Sequence, residues 1–393
     1  MKKNLFSVAM TGALLAGAVF TSCASEDDPA TPVNPIDPTV VTPTVATKEF
    51  AGTIAAGQTR TLSSDTTYFL TGSVIVQGTL NIEPGTNILA RKGFDKYILV
   101  DRGGKINAKG TADKPITFRA DTISTEAGYW GGLIINGYAP ISGATTGTTG
   151  STEINVAYVY GGTNPADNSG TLTYVKLINT GAKSSAEVEH NGLTLNAVGN
   201  GTTINNIYVA YCADDAIEFF GGSVNVTNLL AVDAEDDQFD FTQGYVGTLD
   251  NVYGYWSAKM TSDEADPRGV EGDGNLDGKT STDINQSVAT IKNMTLANYS
   301  TTAAWQDAIK VRRGATATIT NALVKGTGSV TDLIDFTDSR GAAVETTSVS
   351  LTNQLSKSIT GKEVNGTGIA NFVTTNTGAN TSAFAWTGTT ANL

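Results

Sequence analysis

Two cysteines and one histidine are all that 393 residues contain of the commonest soft-metal ligands. No zinc spacing can be assembled from them, no Ser-His-Asp set is visible, and no phosphate-binding loop emerges. A disulfide framework is excluded, so stability must come from packing. Charged residues make up only 16% of the chain, and the acidic ones prevail to a net charge of −13, which argues against nucleic acid as a partner. Helical 3.6-residue periodicity is nearly absent after residue 50. The apolar stretch from Leu5 to Phe20 is shorter than the ~20 residues a membrane span needs, and no second run reaches that length. What remains is a chain rich in Gly, Thr and Asn.

The first residues read as an address. Lys2 and Lys3 precede an apolar segment of signal-peptide length, and Thr21-Ser22-Cys23 ends it as a lipoprotein signal ends. Residues 1–22 are therefore expected to be removed and Cys23 to carry lipid, although Phe20 stands where a leucine is usual. Ser25-Glu26-Asp27-Asp28 resembles the acidic export tag of Bacteroidota surface lipoproteins, which implies a lipid-anchored, surface-exposed place on the outer membrane. Pro29, Pro32, Pro35, Pro38 and Pro43 then interrupt a Thr/Val/Asp stretch, so residues 23–48 read as an extended, solvated tether.

The rest, 49–393, is about 345 residues, long for one ordinary core and natural for a solenoid. Two short patterns recur in it. An aliphatic residue, any residue, Asn and another apolar residue appear around Asn206, Asn228, Asn251, Asn293 and Asn321, at spacings of 22, 23, 42 and 28. The 42 reads as one coil carrying an insertion at about 256–287. A second pattern, Asp-x-apolar-x-apolar with Gly soon after, starts at Asp215, Asp237, Asp307 and Asp332, with a weaker copy at Asn191. Gly222, Gly244, Gly314 and Gly341 close these units. Strand-like alternation separated by Asn, Asp and Gly turns, returning every 22 residues or so, predicts a right-handed single-stranded parallel β-helix, an all-β solenoid. A β-sandwich would show hairpin turns instead. Stacked asparagines would share side-chain amide hydrogen bonds along the solenoid.

The segments Gly78–Gly85, Gly103–Gly110, Thr111–Phe118 and Trp130–Gly137 look like opening coils of such proteins. Here the chain resembles the pectate-lyase-like β-helix lipoproteins of Bacteroidota, over roughly residues 65–345. The resemblance implies the fold and brings little activity with it. The coil at 49–75 and the end around Phe384-Ala385-Trp386 are expected to cap the solenoid ends.

Aligning the second pattern places Glu218, Asp240, Glu271, Lys310 and Asp335 in one outward column, with Asp214, Glu235 and Asp236 just before the strands. Carboxylates ~4.8 Å apart repel by roughly 3.5 kcal/mol at an effective dielectric near 20, and by about 0.9 kcal/mol in water. On a solvated face the lower figure applies; otherwise a proton, a base or a metal is required. Clusters without His or Cys suit Ca²⁺. In the insertion, Asp273-Gly274-Asn275-Leu276-Asp277-Gly278 resembles a calcium-loop fragment without its closing Glu. The candidate metal ligands are thus Glu218, Asp240, Glu271, Asp273, Asn275 and Asp277. Asp215, Asp237, Asp307 and Asp332 are expected to cap strand entries, with Arg268 pairing Asp237 or Asp307. His190 reads as a surface turn residue.

A non-enzymatic function comes first: a surface-tethered solenoid binding glycan or another polymer, or serving adhesion, with Phe220, Tyr253 and Tyr255 stacking on sugars or packing under loops. The alternative is a calcium-dependent lyase or hydrolase acting on acidic glycans, with Lys259, Arg268, Asp214 and Asp236 as candidate catalytic groups and Lys310, Arg312 and Arg313 also in reach along the chain. The criterion is whether Lys259 or Arg268 reaches the acidic column across an open groove.

Overall fold

A computed structural model describes residues 46–185 and 188–393. Cys23, the expected signal and all but the end of the expected tether lie outside the described residues. Ala46, Thr47 and Lys48, read as the tether's end, already pair with Thr66, Thr67 and Tyr68.

The described chain is a right-handed parallel β-helix whose strands join in one 24-stranded sheet. Every turn of the coil contributes to three faces. Sheet A stacks short strands, among them Leu193–Asn196, Ile217–Phe220, Phe239–Thr242, Arg268–Asp273, Ala304–Arg312 and Ser329–Asp335. Sheets B and C are the two halves of longer bent strands: Thr203–Cys212, Val226–Ala234, Thr248–Trp256, Val288–Asn298 and Thr316–Gly326.

The asparagines make that bend. Asn206, Asn228, Asn251, Asn293 and Asn321 have φ between 51° and 59°, a left-handed conformation that Asn tolerates better than most residues. One such residue swings the strand from sheet B into sheet C. The side chains then stack as expected: Asn228 Nδ2 donates to Asn206 Oδ1 at 3.0 Å, Asn251 to Asn228 at 2.7 Å, and Asn321 to Asn293 at 2.8 Å. One link differs. Asn293 donates to Asp250 Oδ1 (2.7 Å), while Asn251 Oδ1 accepts the backbone N–H of Asn380 at 2.6 Å. The strand register continues across the 42-residue interval, with Val252 beside Met294. Replacing Asn228 by alanine removes two ladder bonds and leaves a β-carbon in the left-handed region, a loss of about 2–4 kcal/mol. Asn228→Gly keeps the bend and loses only the bonds. Thermal melts are expected to rank wild type above Asn228→Gly, and that above Asn228→Ala; the reverse order of the two variants would deny the bend its conformational origin.

Inside, side chains stack in columns. Phe219, Phe241, Gly272 and Val311 share one. Glycine is required at 272, since a β-carbon there would lie 2.2 Å from Cζ of Phe241. Trp130, Trp256 and Trp305 are fully buried.

Two additions depart from the sequence reading. Between the strands Leu133–Asn136 and Gly170–Ile178, an excursion carries an antiparallel hairpin, Gly150–Thr152 with Asn155–Tyr160. The second is the C-terminal segment. It does not cap the solenoid's end but runs back along sheet C, where Phe384 packs edge-on to Tyr253 (6.4 Å between centroids) and Trp386 against Tyr174 (5.3 Å). The reason is the outward face of sheet C: Tyr208, Leu230 and Tyr253 are apolar there and need cover. The expected insertion at 256–287 is two loops flanking the sheet A strand Arg268–Asp273.

Candidate functional site

Parallel stacking brings the outward positions of sheet A into one line. Glu218 pairs in register with Asp240, Asp240 with Glu271, Glu271 with Lys310, and Lys310 with Asp335. The expected order holds, but the expected solvated setting does not. Asp240 and Glu271 are only 9% exposed, Lys310 8% and Asp335 5%. Walls rise around the column from the hairpin, which contributes Glu153 and Tyr160, and from the loops bearing Asp266 and Asp277. They enclose a cleft of about 490 Å³. Twelve carboxylates and three guanidiniums line it.

The carboxylates fall into overlapping groups. Oxygens of Asp214, Asp215 and Asp236 lie within 4.8 Å of one another, as do those of Asp215, Glu218 and Asp240, and those of Asp237, Asp240 and Glu271. Burial, then mutual repulsion, pushes the carboxyls of Asp214, Asp215, Glu218, Asp237 and Asp240 well above the usual carboxylate range. Asp236 is raised to about 7 by burial and the charges of Glu264 and Glu271. Glu218 Oε2 accepts from Asn191 Nδ2 at 2.6 Å. Three cleft oxygens are left unserved: Asp236 Oδ1, Asp237 Oδ1 and Asp240 Oδ1 are buried without a hydrogen-bond partner.

Three arginines hold the cleft's far end together. Arg268 pairs with Asp266 and Glu271, lies 3.9 Å from Asp237, and places Nε 3.2 Å from Asp307. The sequence offered Asp237 or Asp307 as its partner; it takes both. Burial works against its charge, but Glu271, Asp237 and Asp266 outweigh that and hold it protonated. Arg312 pairs with Glu271 and, at 2.8 Å, with Asp273; Arg313 pairs with Asp273 at 2.6 Å and Asp338 at 3.3 Å.

The other sequence candidates divide. Asp214 and Asp236 line the cleft, but Lys259 is exposed and lines a different cavity. Asp273, Asn275 and Asp277 do not converge on one point. Asp273 is bound to two arginines. Asn275 accepts from the Thr280 N–H (3.1 Å) and donates to Gln286 and to the Arg313 carbonyl, while Asp277 pairs with Lys279 at 2.6 Å. Asp215 does cap a strand entry, accepting from the Asp237 N–H at 2.8 Å, and Asp332 accepts from the Lys362 N–H at 2.6 Å. Asp215 and Asp237 also line the cleft, which their inward parity concealed.

His190 is not a surface residue. It is 1% exposed, in tilted contact with the rings of Phe94 and Tyr97 (4.6 and 5.0 Å), and burial lowers its pKa to about 4. Phe220, Tyr253 and Tyr255 are not open platforms either. Phe220 packs on Tyr160 beneath the hairpin, Tyr160 donating to Gln243 Oε1 at 2.7 Å, and both tyrosines lie under the returning C-terminal segment. Glu153, Tyr160 and Glu189, which no repeat marks, complete the walls.

Fold and cleft together define a parallel β-helix protein with a deep acidic groove on one sheet. The chain belongs to the pectate-lyase-like β-helix domain family, whose match spans residues 52–392. No curated protein and no solved structure matches it. Family membership supports a carbohydrate-related role.

Proposed function

We propose that the chain is a glycan-binding protein whose sheet A cleft engages its ligand through divalent cations, calcium foremost. Asp237 and Asp240 would hold one ion, with Asp215 and Glu218 on the adjoining rung, while Glu271, like Asp273, is already engaged by two arginines. The observation that carries this reading is the set of unpartnered buried oxygens, Asp236 Oδ1, Asp237 Oδ1 and Asp240 Oδ1, within tight carboxylate groups. Such oxygens need a proton or a cation. An all-oxygen set without His or Cys suits a hard ion. An acidic glycan alone would be repelled by this groove, and a bridging cation reverses the sign of that interaction.

The lyase alternative is weakened by its base. Arg268 does reach the acidic column, at Glu271, but it, Arg312 and Arg313 are each held by at least two carboxylates, and Lys259 faces elsewhere. A hydrolase reading retains one favourable observation: Asp236, raised to about 7, has the character of a general acid beside other carboxylates. A lipid on Cys23 would present the groove outside the outer membrane, and Cys23→Ser would then leave the membrane fraction.

A panel of uronate-rich and neutral glycans, each with calcium or with chelator, tests the reading. Binding of uronate-rich glycan is expected with calcium and lost with chelator, and weakened about tenfold or more by Asp240→Asn or Asp237→Asn. No new absorbance at the unsaturated-uronate band and no new reducing ends are expected. Either signal replaces binding by catalysis, and calcium-independent binding removes the cation.

A further inference from the structure

A second cavity, also of about 490 Å³, opens where sheet C passes into the turn that leads to sheet A. It shares no lining residue with the acidic cleft. Adjacent residues serve the two: Asp236 lines the cleft, Glu235 this cavity. Its lining is of a different character. Val232 and Tyr255 are buried, Tyr211 is half-exposed, Asp233 and Glu235 bring carboxylates, and Lys259 stands exposed. Lys259, a candidate base in the sequence, lies here and not at the acidic column.

The backbone at this site is unusual. Tyr211 and Asp233 occupy equivalent positions in successive coils, between the aligned pairs Ala210–Val232 and Cys212–Ala234, and both have positive φ, 57° and 53°. A tyrosine in that region is strained by roughly 1–2 kcal/mol. The kink breaks strand alternation: Cys212 turns inward and is fully buried, while Tyr211 lines the cavity. Tyr174 has a similar φ of 51°, but its ring lies against Trp386.

We propose that this cavity binds an uncharged pyranose unit of a glycan, with the Tyr211 ring against the sugar's C–H face and Glu235 and Asp233 accepting hydrogen bonds from its hydroxyls. The cavity falls within the range of about 300–1,000 Å³ usual for small-ligand sites. A pyranose offers one apolar face and a rim of O–H donors, which matches an aromatic face beside carboxylates. Two carboxylates against one exposed lysine disfavour a uronate. Burial and the charge of Asp263 push Glu235 to about 7, so near neutrality it can donate as well as accept. The proposal is independent of the cation reading, since it uses nothing from sheet A.

The test is saturation-transfer NMR and calorimetry on the full chain in chelator, with cellobiose, maltose, mannobiose and galactobiose as probes and digalacturonate as the anionic comparator. At least one neutral disaccharide is expected to bind, and digalacturonate not. Tyr211→Ala and Glu235→Ala are expected to weaken that binding tenfold or more, and Tyr211→Phe to restore most of it. No neutral disaccharide binding in chelator overturns the proposal. So does binding unchanged in Tyr211→Ala or, should that variant misfold, in Glu235→Ala.

Discussion

Arg268→Met is expected to lose about 3–5 kcal/mol of stability at pH 8 and much less at pH 5. Arg268 is 4% exposed and faces Asp237, Asp266, Glu271 and Asp307. Methionine fills much of the same volume, so the loss reports charge more than packing. Without the guanidinium, buried carboxylates face one another with no counter-ion. At pH 5 they have a remedy, because Asp237 is already raised by burial and repulsion, and Asp307 is raised to about 6 by burial despite Lys310 and Arg268. Protonation then replaces the arginine. Arg268→Lys keeps a charge but not the fork that reaches several carboxylates, and should fall between. Denaturant titrations of the three proteins at both pH values measure this. An equal loss at pH 5 and pH 8 would make Arg268 a packing residue.

The wild-type protein in chelator is expected to be more stable near pH 5 than at pH 8, contrary to the common pattern in which paired carboxylates favour neutral pH. Asp214, Asp215, Glu218, Asp237 and Asp240 have folded pKa values above their unfolded ones, and Asp236 rises to about 7. Between about pH 4 and pH 7 the folded chain therefore holds more protons than the unfolded chain. Stability contributed by these groups is complete below about pH 4 and declines as pH rises through the folded values. Asp335 and Asp338 act oppositely. Burial opposes their charge, but hydrogen bonds from Lys310 and Thr337 in one case and from the Arg340 N–H in the other, helped by Arg313, hold them below the usual range. Their contribution is lost as pH falls below about 4. The melting temperature should thus peak near pH 5 and fall by several degrees toward pH 8. Millimolar calcium should remove most of that fall, since a cation does at pH 8 what protons do at pH 5. A profile that rises steadily to pH 8 in chelator would mean that the carboxylates are not buried together.

The solenoid was legible because parallel stacking turns a repeat in sequence into a line in space. Asn206, Asn228 and Asn251 recur at 22 and 23 residues, and their side chains touch. The same rule aligns Glu218, Asp240, Glu271, Lys310 and Asp335. What surrounds that line was not legible. The hairpin at 150–160 and the returning C-terminal segment occur once each, so no period announces them, yet they decide that Phe220, Tyr253 and Tyr255 are covered. Burial changes the repulsion between rungs from the weak aqueous figure toward the strong interior one. His190 is a similar case: one histidine in a turn carries no signal of the Phe94 and Tyr97 rings that enclose it. The Asp273–Gly278 run matched a ligand spacing, but the arginines that claim Asp273 come from another coil some forty residues on.

Proton release on calcium addition is the most direct measure of whether the sheet A carboxylates form one buried, ion-binding set. Calorimetric titration at pH 6.5, in buffers of differing ionisation enthalpy, should show calcium entering and about one or more protons leaving, with both effects lost in Asp240→Asn. Calcium uptake without proton release, or no uptake at all, would contradict it.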